Sequence, residues 1–541
     1  MNNTIDLAII VIYLTFIVSL GMWVAVRNRK RSHDSARNYF LASGQLKWPV
    51  IGLALFSTNI STIHLVSFAQ EGFLNGLAFG NFEWMAAFTL IILSLFFVPF
   101  YIRAKITTLP DFLEKRYNGI CRDMLAVISV ISAIFIHIGF SLYTGGVVLQ
   151  GMFGIPLLYS IIAICSMVGL YTILGGLSSV VITEAIETVV LLLGAVIITV
   201  ICFMKLGSWQ ELVDNVEPVK MTIIRPHGDS SGLPWYAVLL GYPVIGIWYW
   251  CADQTIVQRV LGAKDENHAR MGPLFAGFIK IFPVLLFVLP GLMCYALVQN
   301  GTLDISSMAH DLNGNPDTKD TYAFMIRELL PVGVKGVITA ALLAALMGTV
   351  AGALNSVSTL VSYDLIKRWR SNVGEHTLVK VGRVTALITI ILAIVWSIQL
   401  DHFRSIFQGI SALISYIAPP ITTVFLWGVF WKRASGVAAA ITLALGSLLG
   451  LTVFFLDWFK EDTGWNVPFL MAAFYLFVIC SIILFIASLI RPHQHTEESE
   501  RLVWAHPLDA LRSPGWPGLG DYRIIAGILF ATMIFLYWLF R

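Results

Sequence analysis

The sequence predicts an all-α, polytopic membrane protein with about 14 transmembrane helices. Its 541 residues are 57% hydrophobic and only 12% charged, whereas soluble domains carry about 25% charged residues. Apolar runs of about 20 residues, each long enough to cross a bilayer, recur along the whole chain. The net charge of +3 does not indicate a nucleic-acid partner, because the basic residues lie in short loops between apolar runs.

The apolar segments follow one another closely from the N-terminus onward. The first, from Leu7 to Val26, is longer than the apolar core of a signal peptide, and its positive cluster comes after it. It is therefore predicted to remain as a spanning helix. The predicted segments are 6–26, 48–72, 77–101, 124–150, 155–174, 180–204, 233–253, 273–299, 334–364, 378–400, 405–430, 435–456, 466–490 and 521–540.

The distribution of charge predicts the orientation of these segments. With the N-terminus outside, most of the 35 lysines and arginines fall in inside loops, as the positive-inside rule requires. Both termini are therefore predicted to be extracellular or periplasmic, with the chain in the cell membrane. The outside loop 299–331 is predicted to hold a short helix, and the inside loop 491–522, rich in Pro, Gly and charge, to be a solvated linker.

Polar residues interrupt the second segment between residues 57 and 64. Six of these eight side chains are polar, and the last is His64. In lipid such a stretch persists only where it lines a cavity or is buried against protein. Broken helices of this kind let secondary transporters present backbone carbonyls to an ion and side chains to a substrate. This interruption is the predicted binding region.

Three ionisable residues are singled out within the apolar segments: His64, Glu83 and Lys280. A charge at the centre of a spanning helix costs about 2.5–3.5 kcal/mol, so such residues usually face a cavity or a partner. Glu83 is expected to approach His64 across a hairpin, and Lys280 to pair with Glu83 or to donate to a ligand hydroxyl. The alternatives are a packing histidine and a purely structural ion pair.

A second polar interruption, residues 248–254, ends the seventh segment. Aromatic side chains beside polar groups suit a sugar, whose C–H faces stack on rings while its hydroxyls need hydrogen bonds. The alternative is an interfacial aromatic belt, with Asp253 and Arg259 forming an inner-surface ion pair. Small residues also recur at four-residue spacing on the ninth segment, which favours close helix packing. They are Ala344, Gly348, Gly352 and Ser356. Thr349 beside them, with carbonyls at the break near Ser57 and Ile60, would suit a small hard cation.

Several motifs together resemble the solute:sodium symporter family, and most closely its sodium/glucose cotransporters. The longest is Trp248-Tyr249-Trp250-Cys251-Ala252-Asp253-Gln254, which continues to Arg259. The others occur in the same order as in the family, from the first loop to about residue 435. They are Tyr39-Phe40-Leu41, Asn59-Ile60 with His64, Phe82-Glu83-Trp84, Gly175-Gly176-Leu177, Leu354-Asn355-Ser356 and Phe430-Trp431-Lys432-Arg433.

The resemblance implies a 5+5 inverted repeat like that of the leucine transporter. The first transmembrane helix would lie within residues 1–30, and the two halves of the repeat within 48–204 and 233–430. Three additional helices would follow within 435–541, with the loop 491–522 in the cytoplasm. The two polar interruptions fall in the first helix of each half, as such a repeat requires.

The resemblance also implies site residues. The implied substrate site comprises Asn59, His64, Glu83, Tyr249, Trp250, Lys280 and Ser411. Tyr249 would be the inner gate, and Phe68, Phe82 and Phe407 would cap the site from outside. The implied sodium site comprises carbonyls of Ser57, Ile60 and Ala345 and the hydroxyl of Thr349, with Gly348 beside it.

Some positions depart from the family pattern. Ser411 stands where family sugar transporters carry glutamine, and Gly246 where they carry Asn or Thr, so a ligand could fill the space that those side chains vacate. Gly348 replaces a usual serine. Members with a second sodium site use an aspartate and a threonine at the positions of Glu184 and Ala351, and alanine cannot coordinate an ion. One sodium per cycle is therefore expected.

The combined prediction is a sodium-coupled symporter that imports a monosaccharide or related polyol by alternating access. Its partners would be a small-molecule substrate, Na⁺ and the lipid bilayer, with no organic cofactor and no nucleic acid. The alternatives are a sodium symporter of the same fold for a carboxylate, vitamin or amino acid, and a non-transporting sugar sensor. An enzyme is not expected, because no metalloprotease, Gly-x-Ser-x-Gly or nucleotide-loop motif occurs.

Overall fold

Helices make up most of the described chain, in a computed structural model that covers residues 4–29, 46–106, 108–175, 177–310, 314–370, 372–403, 405–492 and 496–541. Tyr39-Phe40-Leu41 and Gly176, which contribute to two of the motifs, lie outside the described residues, and so does the side chain of Glu184. The helices are numbered α1 to α25 along the described chain.

The helices before residue 233 contain the first predicted half of the repeat. They are α1 (Thr4–Arg29), α2 (Trp48–Asn59), α3 (Thr62–Asn75), α4 (Asn81–Ile92), α5 (Val98–Arg103), α6 (Leu109–Arg116), α7 (Gly119–Ser132), α8 (Gly139–Phe153), α9 (Leu157–Gly175), α10 (Leu177–Leu206) and α11 (Trp209–Asp214). Pro49 lies in the first turn of α2, where its missing N–H is not needed. α2 and α3 are the two parts of the predicted broken helix.

The later helices contain the second predicted half and the C-terminal helices. They are α12 (Trp235–Ile247), α13 (Gln254–Leu261), α14 (Glu266–Ile279), α15 (Leu289–Gln299), α16 (Thr321–Leu329), α17 (Val334–Thr359), α18 (Lys367–Trp369), α19 (Glu375–Gln399), α20 (Ile406–Phe430), α21 (Gly436–Trp458), α22 (Lys460–Thr463), α23 (Phe469–Ile490), α24 (Glu497–Glu500) and α25 (Tyr522–Leu539). The short helix expected in the outside loop 299–331 is confirmed as α16.

Wider π-helical turns interrupt several spanning helices, a feature that is frequent at functional sites. They lie at Leu93–Phe97, Ala133–Ile138, Trp248–Ala252, Val284–Val288 and Leu360–Ile366. The turn after α12 is followed by Asp253 in an extended conformation, with φ −85° and ψ 124°. The second predicted interruption is therefore a real break between α12 and α13.

Within the described residues, eleven helical stretches are long and apolar enough to cross a membrane. Shorter apolar helices cover Thr4–Leu20 and Leu157–Ser166. One stretch, Thr62–Arg103, combines two of the predicted segments, and α2 is shortened by the break. The chain is thus a multi-pass membrane protein, and the number 14 stays a prediction.

A glycine produces the turn between α3 and α4. The backbone of Gly76 has φ +66°, a conformation that residues with a side chain rarely adopt. A Cβ atom there would also lie 2.2 Å from the backbone oxygen of Lys220. Glycine therefore allows both the reversal of the chain and the close approach of the loop that follows α11.

The chain between residues 496 and 521, which precedes α25, packs against the helices, so the prediction of a solvated linker is wrong for the central part of this loop. Trp504 is 8% exposed. Its indole Nε1 donates to the carbonyl of Phe96 at 3.1 Å, and its backbone N–H donates to Val429 at 3.0 Å. Nearby, Arg270 Nη1 donates to the carbonyl of Ala510 at 3.2 Å. This part of the loop is thus attached to the ends of three helical segments.

This attachment predicts the effect of Trp504→Ala. Deleting a buried tryptophan side chain costs about 3 kcal/mol, so we expect the apparent unfolding temperature of the purified protein to fall by several degrees. Thermal unfolding followed by size-exclusion chromatography measures it. The matched control is Leu508→Ala in the same loop, because Leu508 is 69% exposed. Equal unfolding temperatures for the two variants would contradict a packed loop.

Candidate functional site

The first broken helix separates over two residues only. α2 ends at Asn59, Ile60 and Ser61 are extended, and α3 begins at Thr62. The predicted interruption, residues 57–64, is therefore shorter in the structure, because its other polar residues remain helical. A break of this kind removes the N–H groups that would satisfy the last carbonyls of α2.

His64 helps to keep the carbonyls of Ser57 and Ile60 free of helical hydrogen bonds. The N–H of Ser61, which a continuous helix would direct to the carbonyl of Ser57, instead approaches His64 Nδ1 at 3.4 Å. The N–H of His64 donates to the carbonyl of Ser61 at 3.0 Å rather than to that of Ile60. The two carbonyls predicted to bind sodium on the broken helix are thus free of helical hydrogen bonds.

Three buried polar side chains, those of Asn59, Glu83 and Lys280, meet the partly buried Tyr249 next to the break. Lys280 Nζ donates to Glu83 Oε2 at 2.6 Å and also to Asn59 Oδ1. Asn59 Nδ2 in turn donates to the hydroxyl of Tyr249 at 3.0 Å. The side chains of Lys280 and Glu83 are only 1% and 3% exposed. The predicted pairing of Glu83 with Lys280 is therefore confirmed.

These four residues come from four different elements. Asn59 ends α2, Glu83 lies in the first turn of α4, Tyr249 lies in the π turn after α12, and Lys280 follows α14. Trp250 from the same π turn places its ring centroid 5.3 Å from Lys280 Nζ. The cluster neutralises a buried charge and holds hydroxyl, amide, ammonium and carboxylate groups within reach of one ligand.

In the described part of the chain His64 makes no hydrogen bond to this cluster, although it lies within electrostatic reach of Lys280. Its ring contacts Ser61 and lies 5.7 Å from the ring of Phe68. Among the described residues no contact joins His64 to Glu83, so the expected approach across the hairpin is not observed. Ser411 is buried on α20, one turn after Phe407. Neither the His64 nor the Ser411 assignment to the substrate site is tested by this geometry.

The three residues predicted to cap the site are in contact with one another. The ring centroids of Phe68 and Phe407 lie 4.6 Å apart, as do those of Phe82 and Phe407. Phe79, which the sequence analysis did not single out, lies 5.7 Å from Phe407 and 5.9 Å from Phe82. These four rings form a closed aromatic layer.

Two polar residues on α3 were also missed. Gln70 and Glu71 are fully buried. The hydroxyl of Ser405 donates to Glu71, and the backbone N–H of Ile406 donates to Gln70 Oε1 at 3.2 Å. These bonds tie α3 to the start of α20, close to Phe68 and Phe407 in sequence. Glu71 lies within the predicted segment 48–72, so a complete search for ionisable residues would have found it.

The segment directly after the break contacts α17, which carries the predicted sodium ligands Ala345 and Thr349. The hydroxyl of Thr62, at the start of α3, donates to the carbonyl of Leu342 on α17 at 2.8 Å. Ala345 lies one turn after Leu342, and the hydroxyl of Thr349 donates to the carbonyl of Ala345 at 2.9 Å. Carbonyl and hydroxyl oxygens suit a hard cation. Gly348 is buried beside them and supplies no side-chain oxygen.

Two alternatives raised from the sequence, an interfacial aromatic belt and an ion pair between Asp253 and Arg259, are not observed among the described residues. Trp248 is buried within the protein, so it does not serve an interfacial belt. Asp253 Oδ1 accepts the N–H of Thr255 at 2.9 Å at the start of α13, whereas Arg259 Nε donates to the hydroxyl of Thr58 at 3.1 Å. Within the described chain Arg259 therefore connects α13 to α2 instead of pairing with Asp253.

The space beside Gly246 is filled, in contrast to the expectation from the family pattern. A Cβ atom on Gly246 would lie 2.7 Å from a ring carbon of Tyr242 and 2.8 Å from the methyl group of Thr89. The absent Asn or Thr side chain is therefore replaced by neighbours from the same helix and from α4, and no space for a larger ligand is vacated there.

Comparison with known proteins agrees with this architecture. Residues 39–446 match the sodium:solute symporter family. A sodium/glucose cotransporter of Vibrio parahaemolyticus is 36% identical over 82% of this chain and 84% of its own length. A sodium/myo-inositol cotransporter 2 of Oryctolagus cuniculus is 32% identical over 86% of this chain and 72% of its own length.

The fold is also similar to that of a solved structure. A Na⁺-coupled sialic acid symporter in a substrate-bound outward-open state aligns with a TM-score of 0.74 at 21% identity, covering 91% of this chain and all of that chain. The predicted leucine-transporter-like fold is thereby confirmed. The chain belongs to the sodium:solute symporter family and is a transporter rather than an enzyme.

Proposed function

We propose that this protein imports a monosaccharide or related polyol together with Na⁺ by alternating access. The observation that carries the proposal is the hydrogen-bonded cluster of buried Glu83, Lys280 and Asn59 with the partly buried Tyr249, beside a broken helix. Relatives with about a third of their residues identical are named as sodium/glucose and sodium/myo-inositol cotransporters, which supports this substrate class.

Sodium would bind first. The carbonyls of Ser57 and Ile60, released at the break, together with Ala345 and Thr349 on α17 supply four oxygen atoms. An ion held by both sets would fasten the broken helix to α17. Because the ligand oxygens are neutral, the bound ion would keep its full charge and its entry would be driven by the membrane potential.

The sugar would bind beside the ion. Its hydroxyls can donate to the Glu83 carboxylate and accept from the Lys280 ammonium, while the rings of Tyr249 and Trp250 offer faces to its C–H surfaces. The aromatic layer of Phe68, Phe82 and Phe407 would close the site toward the outside, and Tyr249 would close it toward the inside. Ser411 and His64 would complete the site after rearrangement of its outer part.

The energetics are sufficient for accumulation. One Na⁺ moving through 100 mV and a tenfold concentration gradient releases about 3.7 kcal/mol, which supports an accumulation of several hundred-fold. We propose one sodium per cycle, because Ala351 has no side-chain oxygen for a second ion; Gly348, at the first site, leaves that site one hydroxyl ligand fewer. Coupling would need no organic cofactor and no nucleic-acid partner.

The proposal also covers the orientation of the protein in the cell membrane and the order of its predicted segments along the chain. Both termini would face the outside of the cell membrane, as the distribution of lysine and arginine favours. The first helix (1–30) would be followed by the two halves of the repeat, 48–204 and 233–430, and by the C-terminal helices in 435–541. A carboxylate substrate is disfavoured, because Glu83 neutralises the cation of the site.

Glu83→Gln tests the site. The substitution leaves Lys280 without its carboxylate, and breaking a buried pair costs about 3–5 kcal/mol, so we expect sodium-dependent uptake to fall at least tenfold. Uptake would be measured in proteoliposomes with hexoses, myo-inositol, sialic acid and small carboxylates. Glu498→Gln on the inner surface is the control, since that side chain is 60% exposed.

A double variant separates loss of function from loss of folding. Glu83→Gln combined with Lys280→Met removes both charges, and we expect it to purify as well as wild type and yet not accumulate sugar. Sugar uptake at the wild-type rate by the double variant would refute this site. Uptake of carboxylates alone by wild type would refute the substrate class, and binding without accumulation would favour a sensor.

Thr349→Ala tests the sodium site. Removing one oxygen ligand is expected to raise the Na⁺ concentration for half-maximal uptake about tenfold, the equivalent of about 1.4 kcal/mol, with the preference among sugars unchanged. The matched control is Thr359→Ala, because Thr359 lies on the same helix and its hydroxyl makes the same bond to the carbonyl four residues earlier, at 2.9 Å. An unchanged sodium dependence in Thr349→Ala would exclude this hydroxyl as a ligand.

The stoichiometry gives an independent prediction. With one Na⁺ and a neutral substrate, one positive charge should cross the membrane per sugar. Reversal potentials measured in proteoliposomes at several sodium and sugar gradients report this ratio. A value near two would show that a second ion binds although Ala351 offers no side-chain oxygen for it.

A further inference from the structure

Tyr242 occupies a position that the family motifs do not mark. It lies on α12, one turn before Gly246, and its ring covers the face of that glycine. A Cβ atom on Gly246 would approach a Tyr242 ring carbon to 2.7 Å. The tyrosine and the glycine are therefore a matched pair, because any larger residue at 246 would displace the ring.

The hydroxyl of Tyr242 is bound to the backbone of α4. It donates to the carbonyl of Phe82 at 3.0 Å. Its ring also meets that of Phe82 edge-on, with centroids 5.7 Å apart. One side chain thus contacts both the backbone and the ring of the residue that precedes Glu83.

Tyr242 is close to the polar cluster itself. Its side chain is buried, with the whole residue 4% exposed. The phenol lies within electrostatic reach of the Glu83 carboxylate and the Tyr249 hydroxyl. The side chains of Trp250 and Thr89 also lie close to this hydroxyl, so its two acceptor sites face these neighbours while it donates to Phe82.

We infer that Tyr242 is a positioning residue that determines which sugar the site selects, by fixing Phe82 and Glu83. This inference rests on the proposed function. The first turn of α4 carries both an aromatic group that closes the site and the carboxylate that would accept substrate hydroxyls. A shift of this turn changes where the carboxylate lies relative to each hydroxyl of a ring, so different sugars are affected unequally.

The position of the polar group distinguishes this chain from the family pattern. Family sugar transporters carry Asn or Thr at the position of Gly246. Here the glycine makes room for a side chain from one turn earlier, whose hydroxyl returns to the same region. The polar group is therefore supplied one turn earlier on the helix, by Tyr242, and its hydrogen bond is directed to α4.

Tyr242→Phe tests the inference, because it removes only the hydroxyl. Vmax and KM would be measured at saturating Na⁺ for the two substrates that wild type carries best, with D-glucose and myo-inositol as the first probes. We expect the ratio of their Vmax/KM values to change about fivefold, the scale of one lost neutral hydrogen bond, with the half-saturating Na⁺ concentration unchanged. A structural role alone would lower both rates in proportion.

Tyr236→Phe is the matched control. Tyr236 lies on the same helix, and its hydroxyl contacts His227 at 3.2 Å, outside the polar cluster. We expect it to leave the substrate ratio unchanged. A constant ratio in Tyr242→Phe, or an equal shift in Tyr236→Phe, would overturn the inference.

Gly246→Ala provides a second, independent test. The added Cβ atom must displace the Tyr242 ring, so the ratio should shift in the same direction as in Tyr242→Phe. Gly527→Ala on α25 is its control, because no atom lies within 4 Å of a Cβ built there. Opposite shifts in Gly246→Ala and Tyr242→Phe would overturn the inference.

The design separates this inference from the proposed function. If wild type carries carboxylates and no sugar, the proposed function fails, and the ratio between the two best carboxylates still decides the role of Tyr242. If nothing is carried, the proposed function fails, and the same ratio is taken from stabilisation of the purified protein against heat by each probe. A ratio unaffected by Tyr242→Phe would overturn the inference in every case.

Discussion

The two extended residues between α2 and α3 leave carbonyl groups in the membrane interior without helical partners. Each unsatisfied backbone group there costs several kcal/mol, so the break is stable only if something else approaches these oxygens. The carbonyl of Ser57 lacks its helical partner because the N–H of Ser61, which would otherwise donate to it, approaches His64 Nδ1 instead. An ion that binds to these oxygens removes the penalty. At the proposed sodium site, ion binding and the geometry of the broken helix would therefore form one coupled equilibrium.

The same break places Asn59 at the end of α2, where it connects Lys280 to Tyr249. A buried lysine with a carboxylate partner is neutral as a pair, but the pair is stable only when its remaining donors are satisfied. Asn59 provides one such acceptor. Substrate hydroxyls can replace these internal bonds one for one, so a sugar can enter without leaving any charge unpaired. In the proposed mechanism, this exchange would also transmit the presence of the sugar to both broken helices.

Much of this arrangement could be predicted because polar groups are conspicuous in apolar segments. Glu83, Lys280 and the break were found in this way, and three of the four rings of the aromatic layer, all but Phe79, followed from the family resemblance. Glu71 carried the same signal and was overlooked. The inside loop was misjudged for a different reason: its abundant Pro, Gly and charged residues concealed a few apolar anchors such as Trp504, and only packing shows which of them find a partner.

Tyr242 could not have been predicted from the same signals. A tyrosine in an apolar run is typical of a packed core, and a glycine carries no chemistry of its own. Their role becomes apparent only in the structure. The absence of a side chain at position 246 leaves room for the ring of Tyr242, whose hydroxyl donates to a backbone carbonyl of α4. Sequence comparison by position registers such an exchange as the loss of a polar residue. In the structure the ring of Tyr242, from the preceding turn, lies against Gly246 and its hydroxyl donates to the carbonyl of Phe82, so under the proposed role of Tyr242 the selectivity would depend on a pair of positions that no single-residue motif contains.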